Sequence, residues 1–156
     1  MSKTMHNFEQ VKDVLDYGIQ IHTRLRDVYD RLQQQSEQTR VKMVLEYLSR
    51  HERNREYAMQ RFEEDARKNL LNVWLQYAPS SNIEQLLSQC DTGADMSVDD
   101  VIKLAMCFDD ALIALYQETA REIDEPRVQD VFLNLAEMEI REKQRFIRDA
   151  EWVQDI

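Results

Sequence analysis

Glycine and proline are scarce in this chain, two of each among 156 residues, and that scarcity removes the turn punctuation a many-stranded sheet would need. Cysteine is as rare: Cys90 and Cys107 show neither metal-ligand spacing nor a disulfide framework. They read as two plain thiols of a reducing compartment, Cys107 on a helix and Cys90 near a loop. No apolar run approaches the roughly 20 residues of a membrane span, and the opening MSKTMHNFEQ lacks the apolar centre of a signal peptide. A cytoplasmic protein without a membrane partner is therefore expected. Positive charge is also short, since the formal net charge of −10 leaves no basic face for nucleic acid or an anionic membrane. Gly-rich phosphate loops, nucleophile elbows and Cys-rich zinc patterns are absent too. What remains is mostly helical sequence, long enough for one ordinary domain over residues 1–156 with a real core.

That sequence is internally repeated. Residues 11–62 lie over 98–149 without a gap at a constant offset of 87, with identities at Val11/Val98, Asp13/Asp100, Val14/Val101, Leu25/Leu112, Tyr29/Tyr116, Arg40/Arg127, Val41/Val128, Val44/Val131, Leu48/Leu135, Glu52/Glu139 and Arg61/Arg148. Chance would supply about three. The chain therefore reads as two copies of one helical hairpin, and Glu52/Glu139 is the acidic residue kept at a core-facing place in both.

Apolar residues recur at steps of three and four in four long segments. The first, about 8–34, carries Phe8, Val11, Leu15, Ile19, His22, Leu25, Tyr29 and Leu32, with Asn7 and Gln10 spaced as a capping box. The second starts near 36–39 and shows Val41, Leu45, Leu48, Glu52, Arg55, Met59 and Phe62, and it is expected to extend through Glu63–Tyr77. The third is capped by Ser97 and shows Ile102, Ala105, Asp109, Leu112 and Tyr116. The fourth starts around Asp124 and Pro126 and shows Val128, Phe132, Leu135, Glu139, Glu142 and Phe146. Short connections make each pair an antiparallel hairpin. The longer stretch between them predicts a break at Pro79, a short helix from Ser81 and Glu84 through Leu87, and a loop over Asp91–Met96 with Gly93. Two hairpins joined by one long crossover between the second and third long helices form the all-α, ferritin-like four-helix bundle.

The residues on these stripes resemble the rubrerythrin-like branch of the ferritin-like superfamily. One motif reads His22-Thr-Arg-Leu-Arg-Asp-Val-Tyr29 and Asp109-Asp-Ala-Leu-Ile-Ala-Leu-Tyr116; the other reads Leu48-Ser-Arg-His-Glu52-Arg-Asn-Arg55 and Leu135-Ala-Glu-Met-Glu139-Ile-Arg-Glu142. The resemblance implies a glutamate seven residues before each tyrosine and a Glu-x-x-His on each of the other two helices, converging on two iron ions, since residues i and i+3 share a helix face. Against that pattern only Glu52 and Glu139 are unaltered. His22 and Asp109 stand where glutamates would, and Arg55 and Glu142 stand where histidines would. Arginine stays protonated and offers no lone pair to a metal.

Counting Asp109, Glu52, Glu139 and Glu142 against Arg55 leaves −3 at the middle of the bundle if His22 is neutral. Burying that uncompensated costs more than a fold's net stability. Three arrangements relieve it: protonated carboxyls with His22 as imidazolium, a wet cleft, or one divalent iron or manganese ion on His22, Glu52, Asp109, Glu139 and Glu142, with Tyr29 and Tyr116 nearby. Without an ion, Arg55 is expected to pair with Glu142 or Asp109. Two functions follow from these alternatives: a non-catalytic structural or interaction protein with a degenerate metal site and no cofactor, or a metal-dependent oxidase or peroxidase. Leu70, Leu71, Val73, Trp74, Leu75 and Tyr77 form the richest apolar cluster outside the four stripes, which predicts a homodimer with 66–90 at or near the interface.

Overall fold

The computed structural model describes residues 9–66, 68–75, 79, 81–90 and 95–154. They form α1 (Val11–Gln35), α2 (Thr39–Asp65), α3 (Lys68–Leu71), α4 (Ile83–Gln89), α5 (Val98–Arg121) and α6 (Pro126–Gln154). α1 packs on α2 and α5 on α6, and the two pairs meet along α2 with α5 and α6. The result is an all-α, ferritin-like helical bundle with its crossover between α2 and α5. α1 and α5 begin at Val11 and Val98, and α2 and α6 at Thr39 and Pro126, so both pairs of helix starts keep the 87-residue offset of the sequence repeat.

The apolar stripes meet in one core. Val14, Leu25, Leu112, Leu115 and Phe132 are fully buried, and burying each such side chain contributes roughly 1.5–3 kcal/mol. Gly18 lets two helices close on the middle of α1: a Cβ there would lie 2.7 Å from both Met59 Cε and the Tyr116 hydroxyl.

The helix ends differ from expectation in two places. α1 begins at Val11 with Gln10 as its N-cap, while Asn7 and Phe8 lie outside the described residues. The expected extension of the second long helix to Tyr77 does not form, because α2 ends at Asp65 and Ala66 turns extended. Three consecutive acids, Glu63, Glu64 and Asp65, close that helix with no basic residue in its last turn, so its carbonyl end meets charge of the wrong sign. The chain then folds back. Val11 N–H donates to Val73 O at 3.0 Å and Leu75 N–H to Glu9 O at 2.9 Å, an antiparallel bridge between Gln10 and Trp74. Leu70, Leu71, Val73 and Leu75 thereby pack on their own core, leaving Trp74 exposed. Tyr77 and residues 91–94, including Gly93, lie outside the described residues.

α4 fills the crossover with Ile83 fully buried. Glu84 ties it to α1 by accepting from the Tyr17 hydroxyl at 2.9 Å and from Arg24 Nη1 at 2.7 Å. No helix among the described residues is long and apolar enough to cross a membrane.

Candidate functional site

Each long helix interrupts its apolar stripe near its middle. His22 from α1, Glu52 and Arg55 from α2, Asp109 from α5 and Glu139 from α6 are all buried, although side chains of these types seldom are. His22 Nδ1 lies 2.6 Å from Glu52 Oε1, and its Nε2 lies 3.5 Å from Glu139 Oε1. Arg55 Nη2 donates to Glu139 Oε1. Four of the five polar groups thus form one line, Glu52 to His22 to Glu139 to Arg55, crossing from the first hairpin to the second.

The electrostatics of this layer close without a remainder. Burial pushes Glu52 up to about 8 against a partial offset from Arg55, and burial pulls His22 down to about 4 although Glu139 favours its charged form. A protonated Glu52 facing a neutral His22 and a carboxylate facing an imidazolium differ only in the position of one proton across 2.6 Å. Either way the pair is uncharged and His22 Nε2 carries a hydrogen. Asp109 is raised well above its ordinary range toward the protonated form, by burial first and then by Glu52 and Glu139. Burial alone would lower Arg55, but Glu139 more than offsets it, so a guanidinium pairs with a carboxylate. Of the expected −3, in which Arg55 already offsets Glu139, retained protons on the Glu52–His22 pair and on Asp109 relieve two, and the third is carried by Glu142, which lies outside the layer. Two buried donors of this layer, His22 Nε2 and Arg55 Nε, have no hydrogen-bond partner.

The expected partner of Arg55 requires correction: it is Glu139, not Glu142 or Asp109. The cause is the antiparallel register of α2 and α6, which sets Tyr47 against Phe146, His51 against Glu142 and Arg55 against Glu139. Glu142 therefore falls one turn outside the buried layer. It is partly exposed, 3.4 Å from His51 Nδ1 and 3.8 Å from Arg145. Burial holds His51 down to about 4 despite Glu142, and the ring stacks on Tyr47. His51 is not among the residues expected at the site from the sequence; its spacing of four from Tyr47 and Arg55 is the signal that it shares their face. Tyr29 and Tyr116 are fully buried, and burial with the neighbouring carboxyls keeps both phenols protonated. The Tyr116 hydroxyl contacts Met59 Sδ at 3.4 Å, so its polar atom meets a thioether and not the central layer.

These residues do not fit the two-ion donor set that the family resemblance implies. A permanent cation sits on Glu139, Glu142 turns to His51 and solvent, and no three His, Cys, Asp or Glu side chains among the described residues group closely enough to hold a metal ion. Among proteins of known structure, the chain is similar to a crystal structure from Thermotoga maritima described as a ferritin-like diiron-carboxylate protein, with a TM-score of 0.62, 16% identity and coverage of 94% of this chain and 98% of that one. At that identity the likeness shows the fold, and the chemistry must be argued from this chain's own residues. No protein-family model and no curated protein matches the chain.

Proposed function

We propose that this chain is a non-catalytic ferritin-like bundle of the rubrerythrin-like type in which a metal centre has been replaced by an internally neutral polar layer, and that it acts in the cytoplasm as a structural or interaction protein. The observation that carries this reading is the buried Arg55–Glu139 pair: a tethered guanidinium supplies the positive charge that an ion would otherwise bring. Such a pair adds little net stability but sets which helix faces which. Metal content by mass spectrometry, after expression with added iron and manganese, tests it. Less than one firmly held ion per chain is expected in the native protein, and raised affinity in Arg55→His, which restores one Glu-x-x-His. Two firmly held ions in the native chain would overturn the reading.

One observation favours the second reading, a metal-dependent oxidase or peroxidase: the buried His22 Nε2 faces Glu139 without a hydrogen-bond partner. A single divalent ion would require His22, Asp109 and Glu139 to draw closer together, His22 Nε2 to give up its hydrogen, and Glu52 and Glu142 to adjust; once held, it would supply a redox couple there. Peroxide consumption that tracks bound metal and disappears in His22→Ala would make this reading the better one.

The interaction role includes self-association. Trp74 is 65% exposed on the crossover, and a large aromatic left out of its own core suits a homodimer contact. A dimer in light scattering that Trp74→Glu dissociates is the expected result; a monomer at micromolar concentration would remove the proposal.

A further inference from the structure

The two seams along which the hairpins meet are covered differently. Over α1 and α5 lies α4, with Ile83 fully buried and Glu84 bound to Tyr17 and Arg24 of α1. The α2–α6 seam instead opens to solvent as two adjoining hollows of about 380 and 400 Å³ that share Tyr47 and Arg50. Together they run along α2 from Met43 to Ala58, about 22 Å at the helical rise per residue, which is the length of a four-turn helix. Buried Val44, Phe146 and Ala150 floor one end. Met43 on α2 is 46% exposed, and Met138, one turn before Glu142 on α6, is 40% exposed; methionine adapts its shape to an incoming apolar surface.

Charge selects what can lie there. Glu46, Glu142 and Asp149 stand against Arg50 and Arg145, while Arg55 is balanced from behind by Glu139. Three acids against two arginines make the seam −1, with histidine counted neutral as in the chain's formal −10. Arg50 pairs with Glu46 and Arg145 with Glu142, which leaves Asp149, whose neighbour is the Tyr47 hydroxyl, without a guanidinium among the described residues. The local excess and the field of the whole chain have the same sign, so both favour a basic partner over an acidic one.

We propose that the α2–α6 seam docks an amphipathic, basic helix of a partner protein, its apolar face on Met43, Tyr47 and Met138 and a lysine or arginine on Asp149. This names the partner of the interaction role proposed above and rests on that role. Fluorescence anisotropy of the full chain at physiological salt tests it, using a labelled leucine–lysine peptide of about 15 residues with helical period. A peptide of the same composition in scrambled order and one with glutamate for lysine are the controls. Saturable one-to-one binding of the first is expected, with each control at least about tenfold weaker. Asp149→Lys, and Met43→Asn combined with Met138→Asn, should each weaken binding at least about tenfold. Glu64→Lys makes the same charge change at the far end of α2 and should leave binding within about twofold. All four substituted side chains are exposed, so the variants should fold, and their melting curves check this. The proposal is overturned by absence of saturable binding, by equal binding of either control peptide, by equal weakening in Asp149→Lys and Glu64→Lys, or by binding that the methionine substitutions leave unchanged. Metal content of the same preparation is measured alongside, so that the replaced metal centre and the docking surface can fail separately.

Discussion

The two hairpins start their helices in the same register and each keeps a buried glutamate, yet they differ at every other polar position of the seam: His22 against Asp109, Arg55 against Glu142, His51 against Met138. The difference is one of sign. The first hairpin carries the imidazoles and the guanidinium, and the second carries carboxyls alone. Two identical hairpins would set carboxylate against carboxylate, whereas these two close the charge through a contact that crosses between them, Arg55 to Glu139, with the His51 ring facing Glu142 one turn away. The two hairpins therefore meet in a heterologous lock and not in a symmetric one.

The largest test of that lock removes its cation. In Arg55→Leu the buried Glu139 loses its counter-charge, and stranding one partner of a buried pair costs about 3–5 kcal/mol. Adding Glu139→Gln should recover part of the loss, because the orphaned charge goes with it. Chemical denaturation measures both. A loss of less than about 1 kcal/mol in the single variant would mean that the pair behaves as a solvated one.

Next in size is the pH dependence of the protons the layer retains. A carboxyl raised in the folded state stabilises fully below its unfolded value and loses that contribution as pH climbs to its folded value. For Glu52 the window runs from 4.5 to about 8. His22, lowered from 6.5 to about 4, works oppositely and loses its contribution as pH falls through that range. Between 4.5 and 6.5 the pair binds equal numbers of protons folded and unfolded; there Asp109, raised well above its ordinary 3.8, and Glu63, raised to about 7, lower stability as pH rises, while His51, lowered from 6.5 to about 4, opposes them; above 6.5 the His51 contribution is complete and Glu52 joins the carboxyls. Melting temperature should therefore fall as pH rises from 6 to 8.5. Self-repulsion among the surface acids acts in the same direction, and Asp109→Asn separates the two effects. The amide mimics the protonated acid, so this variant should melt higher than the native chain at pH 8 with a shallower slope, and an unchanged slope would place the effect on the surface.

How much of this was legible in the residues divides along the same lines. Periodicity and loop length gave the hairpins because a 3.6-residue stripe and a short connection each leave few alternatives. Ser97 was readable as a cap for the same local reason. The end of α2 was misread because Leu70 to Leu75 keep helical spacing, while the acids at 63–65 that stop the helix are a weak signal next to apolar pattern. His22, Glu52, Asp109 and Glu139 were correctly placed inside by their stripes. Their pairing was not, since whether Arg55 meets Glu139 or Glu142 depends on the relative slide of α2 and α6, and a shift of one turn exchanges the partners. No local pattern encodes that slide; it is set by packing such as Tyr47 on Phe146.

A smaller effect sharpens the contrast between the copies in the core. Gly18 corresponds to Ala105 in the repeat, and the first copy tolerates no methyl there because Tyr116 and Met59 fill the space. Gly18→Ala should cost about 1–3 kcal/mol by overpacking, since the methionine end can yield but the tyrosine ring is rigid. Tyr116→Phe, which removes the hydroxyl in the way, should relieve much of that cost, and a double-mutant cycle by urea denaturation reads the coupling. Simple additivity would place the strain elsewhere.

The smallest expected effect lies at the matching helix starts, where the two copies use the same acid with different caps. In the second hairpin Ser97 and Asp100 satisfy each other: Asp100 N–H donates to Ser97 Oγ at 3.1 Å and Ser97 N–H to Asp100 Oδ2 at 3.0 Å. In the first, Asp13 accepts from the backbone of Glu9 at 3.0 Å and of Gln10 at 2.9 Å, while Asp13 N–H bonds the Gln10 carbonyl. The acid serves both starts, but the Asp13 N–H is held by the Gln10 backbone carbonyl at 3.0 Å, whereas the Asp100 N–H is held by the Ser97 hydroxyl. Ser97→Ala should therefore destabilise by about 1 kcal/mol, the usual value of a lost serine cap, and Gln10→Ala should leave the denaturation midpoint nearly unchanged. The hydrogen bonds from Ser97 hold Asp100 below its ordinary value, so the second cap should weaken as pH falls below the usual aspartate range. Equal losses in the two alanine variants would show that the caps are interchangeable.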